Sequence, residues 1–295
     1  MRSKIYVKSF YLLIVCIFLT CSSFADIKNS EIERQSVIIP IELNGKMKGM
    51  PIVNVTVNGQ VLHLALDTGA DNVFIALTPE ALAKTEIKTS KEIKKNLDVN
   101  GQLYKSHSAQ VSEIKIGNLS FNNITVFEEL RKTDDGSEGI IGNKLFDKFN
   151  ILIDYKESRI ILYSNISLPS FVDLNKWLKI PFKHEDIGII IEAMSEKQNK
   201  MMRLCLDSGA VAVNEEGKSF NLLKADYLPT QNNADKAKTY SDGLIINGIN
   251  IGNMDFYLLD FTQPAVNGFL GYGFLSKYKI FIDFYGQFIY INKNS

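Results

Sequence analysis

Cysteine is nearly missing from this chain, and the three present are badly placed for cross-linking. Cys16 and Cys21 fall in an apolar N-terminal stretch, so Cys205 stands alone in the remainder and no intrachain disulfide can form there. Histidine is equally scarce. His63, His107 and His184 are far apart and have no cysteine partners, so no metal-ligand spacing arises and no metal or cofactor is expected. Basic runs with interleaved aromatics are missing, which excludes the usual nucleic-acid signature. No apolar run is long enough for a helical membrane span: residues 11–21 fall well short of the ~20 residues needed. Tryptophan is single, but 18 Phe and 12 Tyr supply aromatic bulk. With 295 residues and 45 % apolar composition, a core can form without staples.

The N-terminus reads as a targeting segment. Arg2, Lys4 and Lys8 form a positive region, residues 11–21 an apolar one, and Ser23-Phe24-Ala25 a small-residue cleavage site. Residues 1–25 are therefore expected to be a signal peptide, with the product periplasmic or secreted and without a stable membrane span. Thr20 before Cys21 speaks against the alternative of lipoprotein processing. Removing three basic residues leaves 33 − 3 = 30 basic against 33 acidic, about −3.

The rest of the chain repeats itself. Ile39-Pro40 returns as Ile180-Pro181, Leu66-Asp67-Thr68-Gly69-Ala70 as Leu206-Asp207-Ser208-Gly209-Ala210, Ile116-Gly117-Asn118 as Ile251-Gly252-Asn253, and Gly139-Ile140-Ile141-Gly142 as Gly268-Phe269-Leu270-Gly271. The offsets are 141, 140, 135 and 129, in one order and shrinking. Each LD[ST]GA pentapeptide is expected only ~10⁻³ times by composition in such a chain, so chance is a poor account of two. The repeat divides the chain into residues 26–163, a linker at 164–177 with Asn, Ser and Pro, and residues 178–295.

Local patterns are mostly strand. Residues 52–57 are β-branched and end in Asn58-Gly59, a hairpin signal. Residues 151–155 and 159–163 form a second hairpin, and 280–284 with 287–291 repeat it. Thr78 followed by Pro79 predicts a short helix over 78–84. Further helical turns are expected at 143–148 and 274–278. In the second copy, residues 212–220 lack the helix start that follows Ile75.

Strand alternation brings out the two aspartates. Leu62, Leu64 and Leu66 share one face, with His63, Ala65 and Asp67 on the other; Met202, Leu204 and Leu206 alternate in the same way with Arg203, Cys205 and Asp207. Each strand thus buries an aliphatic row and ends on an aspartate before a tight Gly turn. Two carboxylates brought together cannot both ionise easily, so one proton is shared and the pair can act as acid and base. His63 and Arg203 occupy equivalent places, so neither reads as a required base. Cys205 takes the place of Ala65, and Asp154 and Asp283 repeat as structural residues.

These residues resemble the retropepsin-like and pepsin-like aspartic peptidases. Leu66-Asp67-Thr68-Gly69-Ala70-Asp71 is similar to the retroviral-type active-site signature, and Ile140-Ile141-Gly142 and Phe269-Leu270-Gly271 to the family's hydrophobic-hydrophobic-Gly element. The resemblance implies an all-β, bilobed acid-protease fold with two pseudo-twofold-related, barrel-like lobes and short helices. It implies Asp67 and Asp207 as the catalytic pair, Thr68, Gly69, Ala70, Ser208, Gly209 and Ala210 as loop support, and Asp71 as a substrate-binding residue replaced by Val211 in the second copy. Flaps are expected near residues 99–108 and 239–245, with Tyr104 and Tyr240 at matching places. The expected partner is a peptide or protein substrate, and the chain is expected to be a monomer with pseudo-dimeric lobes. The alternatives are a catalytically weak or inactive peptide-binding protein using the same cleft, and, less economically, halves that pair with other chains.

Overall fold

The computed structural model describes residues 5–6, 13–14, 36–43, 45, 48–70, 73–91, 93–98, 103–129, 136–146, 149–164, 169–185, 187–228, 239–261 and 263–293. It is all-β apart from short helices, and its strands make two closed six-stranded barrels and a third, shared sheet. The first barrel runs in the order Leu103–Ile116, Ile52–Val57, Gln60–Asp67, Gly139–Gly142, Ile75–Leu77, Leu119–Glu128, and closes where the first strand meets the last. The second repeats this order with Thr239–Ile246, Gly188–Ser195, Lys200–Leu206, Gly268–Leu270, Ser219–Lys224 and Ile249–Leu259. Both are antiparallel except where strands return beside the aspartate strands and the closing strands, so each half folds as one copy of a single plan.

The third sheet joins the halves. Its order is Leu178–Pro181, Phe288–Lys293, Tyr278–Asp283, Asn150–Asp154, Arg159–Tyr163, Ser36–Pro40. At its centre Ile151 pairs with Ile282, Leu152 with Phe281, and Ile153 with Ile280. Leu152 and Phe281 are themselves equivalent by the repeat offset, since 152 + 129 = 281, so a pseudo-twofold axis passes between them. Flanking pairs obey the same symmetry: Ile39 faces Ile160 as Ile180 faces Ile289. One face of this sheet joins the main core through Ile151, Ile153, Ile280 and Ile282. The other is covered by the stretch expected as a plain linker, whose Val172 and Trp177 pack on Leu152, Ile161, Phe281 and Tyr290.

Local chemistry explains the turns. Asn58 and Gly59 have φ of 48° and 78°, the paired positive values of a type I′ hairpin, and Asn247-Gly248 repeat them at 50° and 78°. The helix Pro79–Lys84 is capped as expected, with the Ala81 N–H donating to Thr78 Oγ1 at 3.2 Å. The later turns fall at Asn143–Phe146, a 3₁₀ turn, and at Tyr272–Leu275, two residues before the expected start; Tyr272 N donates to the Ala210 carbonyl, so the second turn begins directly behind the second aspartate loop.

The halves differ in one insertion. Ile140 pairs with Ala76, and its counterpart Phe269 pairs with Leu222. From Ala70 to Ala76 is 6 residues and from Ala210 to Leu222 is 12, so the second copy gains 12 − 6 = 6 residues. They form a small hairpin of Ala212–Asn214 with Ser219–Lys224, and a 3₁₀ turn at Ala225–Tyr227 stands where the first half has its α-helix. The second flap expectation is corrected: Thr239–Ile246 is a barrel strand, paired along its length with Ile249–Leu259, and its Leu244 and Ile246 belong to the core. In the first half Ile93–Asp98 pairs antiparallel with Leu103–Ile116; residues 99–102, where the first flap was expected to begin, lie outside the described residues, as does the Tyr104 side chain. Among the described residues, no helix is long and apolar enough to cross a membrane.

Candidate active site

Each aspartate is delivered by a strand whose other face is locked in the core. Leu62, Leu64 and Leu66 are buried on the first strand, and Met202, Leu204 and Leu206 on the second. Behind each loop runs the short parallel strand carrying the repeated glycine. A Cβ on Gly142 would stand 2.3 Å from the carbonyl oxygens of Ala70 and Val73, and one on Gly271 1.8 Å from that of Ala210, so only glycine lets the strand lie this close. Asn143 N and Tyr272 N then donate to the Ala70 and Ala210 carbonyls, each at 3.1 Å. Asn143 adds a side-chain bond to the Thr68 carbonyl at 2.6 Å, which sequence reasoning missed.

The two loops meet across the axis through a reciprocal lattice of hydroxyls. Thr68 N donates to Ser208 Oγ at 3.0 Å and Ser208 N to Thr68 Oγ1 at 2.9 Å. Thr68 Oγ1 donates to the Leu206 carbonyl at 3.0 Å and Ser208 Oγ to that of Leu66 at 2.7 Å. All four residues donating or carrying these groups are buried, so the bonds form in a low-dielectric setting where leaving one unmade is costly.

Above this lattice the carboxyls face each other. Asp67 and Asp207 are each 1 % exposed. Gly69 N and Ala70 N donate to Asp67 Oδ1 at 2.9 and 3.1 Å, and Gly209 N to Asp207 Oδ1 at 2.8 Å. Each glycine also makes room for the opposite carboxyl: a Cβ on Gly69 would lie 2.7 Å from Asp207 Cγ, and one on Gly209 2.8 Å from Asp67 Cγ. Asp207 Oδ2 meets no N–H or O–H donor among the described residues, and the carboxyl of Asp67 lies within hydrogen-bonding reach of Asp207. Burial first, then the charge of Asp67 and the bond between the two, hold Asp207 well above the ordinary carboxylate range; the Gly209 and Ala210 N–H groups pull partly the other way. The groups acting most strongly on Asp207 include no cation. Arg203 is turned away, its guanidinium on Glu185 at 2.7 Å and on the Ala265 carbonyl at 2.8 Å.

The remaining sequence candidates fall as follows. Ala70 and Ala210 are buried within the loops. Asp71 lies outside the described residues. Its counterpart Val211 is buried and packs with Met50, Ala70 and Val73 of the first half. Tyr240 donates to Asp242 at 2.8 Å in a polar cluster with Ser195, away from any flap role. His63 and His107 pair with Glu138 and Glu128 at 3.3 and 2.6 Å. Cys205 is buried, as Ala65 is. Asp154 is buried against Lys279, and Asp283 accepts from Gly286 N in its hairpin turn.

Two lobes built on one plan, meeting at a pair of buried facing carboxyls, define the bilobed acid-protease architecture. Comparison with known proteins agrees. Residues 53–145 match the family model described as aspartyl protease. Over 88 % of this chain and 98 % of its own, the aspartic proteinase from Irpex lacteus superposes with a TM-score of 0.59 at 12 % identity. The basic 7S globulin from soybean does so with 0.54 at 10 % identity, over 88 % of this chain and 95 % of its own. A retropepsin-like aspartic protease from Rickettsia conorii is 25 % identical over 44 % of this chain and 90 % of its own, with a TM-score of 0.31. No curated protein sequence matches significantly. The first half thus matches the aspartyl protease family model, and both halves share the bilobed acid-protease fold.

Proposed function

We propose that the protein is an aspartic endopeptidase that hydrolyses peptide bonds with a water activated by Asp67 and Asp207. The observation that carries this reading is the pair of buried, mutually facing carboxyls with glycine backbone on either side. Two carboxyls in this setting hold one proton between them. The ionised member takes a proton from water as its oxygen attacks the scissile carbonyl carbon. The protonated member gives its proton to the carbonyl oxygen, which yields a neutral tetrahedral diol. The carboxyl that took the water proton then gives it to the leaving nitrogen while the other takes a proton from a diol hydroxyl, which breaks the C–N bond, releases the acid and amine products and restores the shared proton. No side-chain nucleophile enters, and Thr68, Ser208 and the loop amides keep the carboxyls oriented throughout. The same proposal takes Asp71 as a substrate-holding residue of the first half, the chain as an exported monomer working outside the cytoplasm, and its substrate as a peptide or protein.

The test is cleavage of a mixed peptide library by residues 26–295 across acid to neutral pH. Asp67→Asn and Asp207→Asn are each expected to lower turnover by ~10³-fold or more, since each removes one side of the acid–base pair. Cleavage surviving either change would overturn the shared dyad. A second reading, peptide binding without turnover, draws on Val211 in place of an aspartate and on the six inserted residues beside it; it is supported if calorimetry shows the wild-type protein binding library peptides and releasing them intact.

A further inference from the structure

The repeat puts Asp154-Tyr155 in register with Asp283-Phe284, since 154 + 129 = 283. The two aromatic positions have been treated differently. Phe284 packs among apolar and ring neighbours, Phe182 and His184. Tyr155 sits in the main core beside Ile151 and Ile153, only 5 % exposed, and its hydroxyl oxygen has no hydrogen-bond partner among the described residues. A buried unsatisfied hydroxyl is costly, and phenylalanine at this site, as in the other half, would avoid that cost.

The location gives the hydroxyl something to do. The Tyr155 ring lies 6.0 Å from that of Tyr272, centroid to centroid. Tyr272 N is bonded to the Ala210 carbonyl, and Ala210 N in turn to the Asp207 carbonyl. The Tyr155 ring therefore lies against the residue that anchors the second aspartate loop from behind. Asp207 and Tyr272 are the titratable groups that act on the Tyr155 hydroxyl, and with its burial they push its acidity far out of range, so it stays a neutral donor dipole. On Asp207 itself the charged neighbour is Asp67.

Resting on the peptidase reading, we propose that Tyr155 is a positioning residue for the dyad, its neutral O–H dipole oriented toward Asp207 and favouring the ionised form of that carboxyl. It opposes the burial and the Asp67 charge that hold Asp207's proton, and so sets the pH at which the second proton leaves the pair. Because the first half has the hydroxyl and the second does not, the device acts on one aspartate and distinguishes it from its twin.

Tyr155→Phe removes the oxygen alone. The variant is expected to fold with unchanged or higher thermal stability, while the alkaline limb of its pH–kcat/KM profile moves up by about one pH unit. 3-Fluorotyrosine at position 155, a stronger donor of nearly the same shape, is expected to move that limb down. Carbon-13 titration of the Asp207 carboxyl reads the same change without any turnover, so it tests this inference even if the wild-type protein cleaves nothing. An Asp207 titration that is superimposable in wild type and folded Tyr155→Phe overturns it.

Discussion

Thr68→Val is the sharpest probe of how the halves are held at the site. Valine keeps the branched shape and removes one oxygen. That oxygen accepts from Ser208 N at 2.9 Å and donates to the Leu206 carbonyl at 3.0 Å, and both partners are buried. Each buried group left unpaired costs about 1–3 kcal/mol, so with two the change should cost ~2–6 kcal/mol. Total stability for a domain is about 5–15 kcal/mol, which makes this a large share. Guanidinium unfolding measures it as a lower midpoint at unchanged slope. Ser208→Ala removes the mirror-image pair of bonds, to Thr68 N and the Leu66 carbonyl. The four bonds form one ring, so the double variant should miss additivity by about 0.5–3 kcal/mol. A Thr68→Val cost below about 1 kcal/mol, or strict additivity with Ser208→Ala, would refute the lattice as the coupling between halves.

Asp207 makes a pH-dependent prediction. Its carboxyl is held well above the ordinary range by burial and by Asp67, so the folded chain keeps a proton that the unfolded chain releases at about pH 4. Its contribution to stability is full below that pH and is lost as pH rises toward the folded value, at about 1.4 kcal/mol for each pH unit separating the two. Asp207→Asn should therefore be more stable than wild type at neutral pH, with a gap in urea midpoints that widens as pH rises above about 4; a gap of the opposite slope would be inconsistent with it. Gly69→Ala places a methyl 2.7 Å from Asp207 Cγ, and peptide cleavage should fall by about 10²-fold with the circular dichroism of the fold retained. Lys279→Met leaves the fully buried Asp154 with Arg159 as its cation, at 3.7 Å instead of the 2.8 Å of the lysine, beside the Glu157 N–H at 3.3 Å; the expected loss is up to about 3 kcal/mol by denaturation, and a neutral result would show that these partners suffice.

What could be read from the sequence was what repeats and what alternates. Two LD[ST]GA loops, two hydrophobic-hydrophobic-Gly elements and period-two strands lead to two like lobes, because side-chain direction in a strand is a local property. Asn247-Gly248 could have been read too, by the same positive-φ rule as Asn58-Gly59. The shared sheet was out of reach in that way: which edge Asn150–Asp154 pairs with depends on the arrangement of whole halves, and its partner proved to be its own copy, Tyr278–Asp283. The inserted hairpin was hidden because deletions elsewhere outweighed it, so the offsets still fell. The bond from Asn143 to the Thr68 carbonyl and the buried hydroxyl of Tyr155 belong to side chains whose roles arise only once distant loops meet.

Fusing the halves has a chemical consequence that a symmetric pair of separate chains cannot reach. In a homodimer every substitution appears twice, so the two carboxyls are identical on average and only bound substrate distinguishes them. In this chain the halves have diverged around a shared plan. Thr68 faces Ser208, Asn143 answers to Tyr272, Tyr155 to Phe284, and six residues are inserted after Ala210 alone. Both carboxyls accept from loop amides, Asp67 at 2.9 and 3.1 Å and Asp207 from Gly209 N at 2.8 Å, but only Asp207 acts on a buried tyrosine hydroxyl, that of Tyr155, where the repeat has Phe284 in the other half. Different surroundings separate the tendencies of two otherwise equal groups to hold a proton, and separation is what assigns acid and base roles before substrate arrives. On the proposed function, Asp207, held well above the ordinary carboxylate range by burial and by Asp67, begins the cycle protonated and Asp67 begins it charged. Mutating the asymmetric residues toward their counterparts, Tyr155→Phe foremost, should bring the two carboxyls' titrations measurably out of their native spacing, whereas the symmetric lattice of Thr68 and Ser208 governs stability.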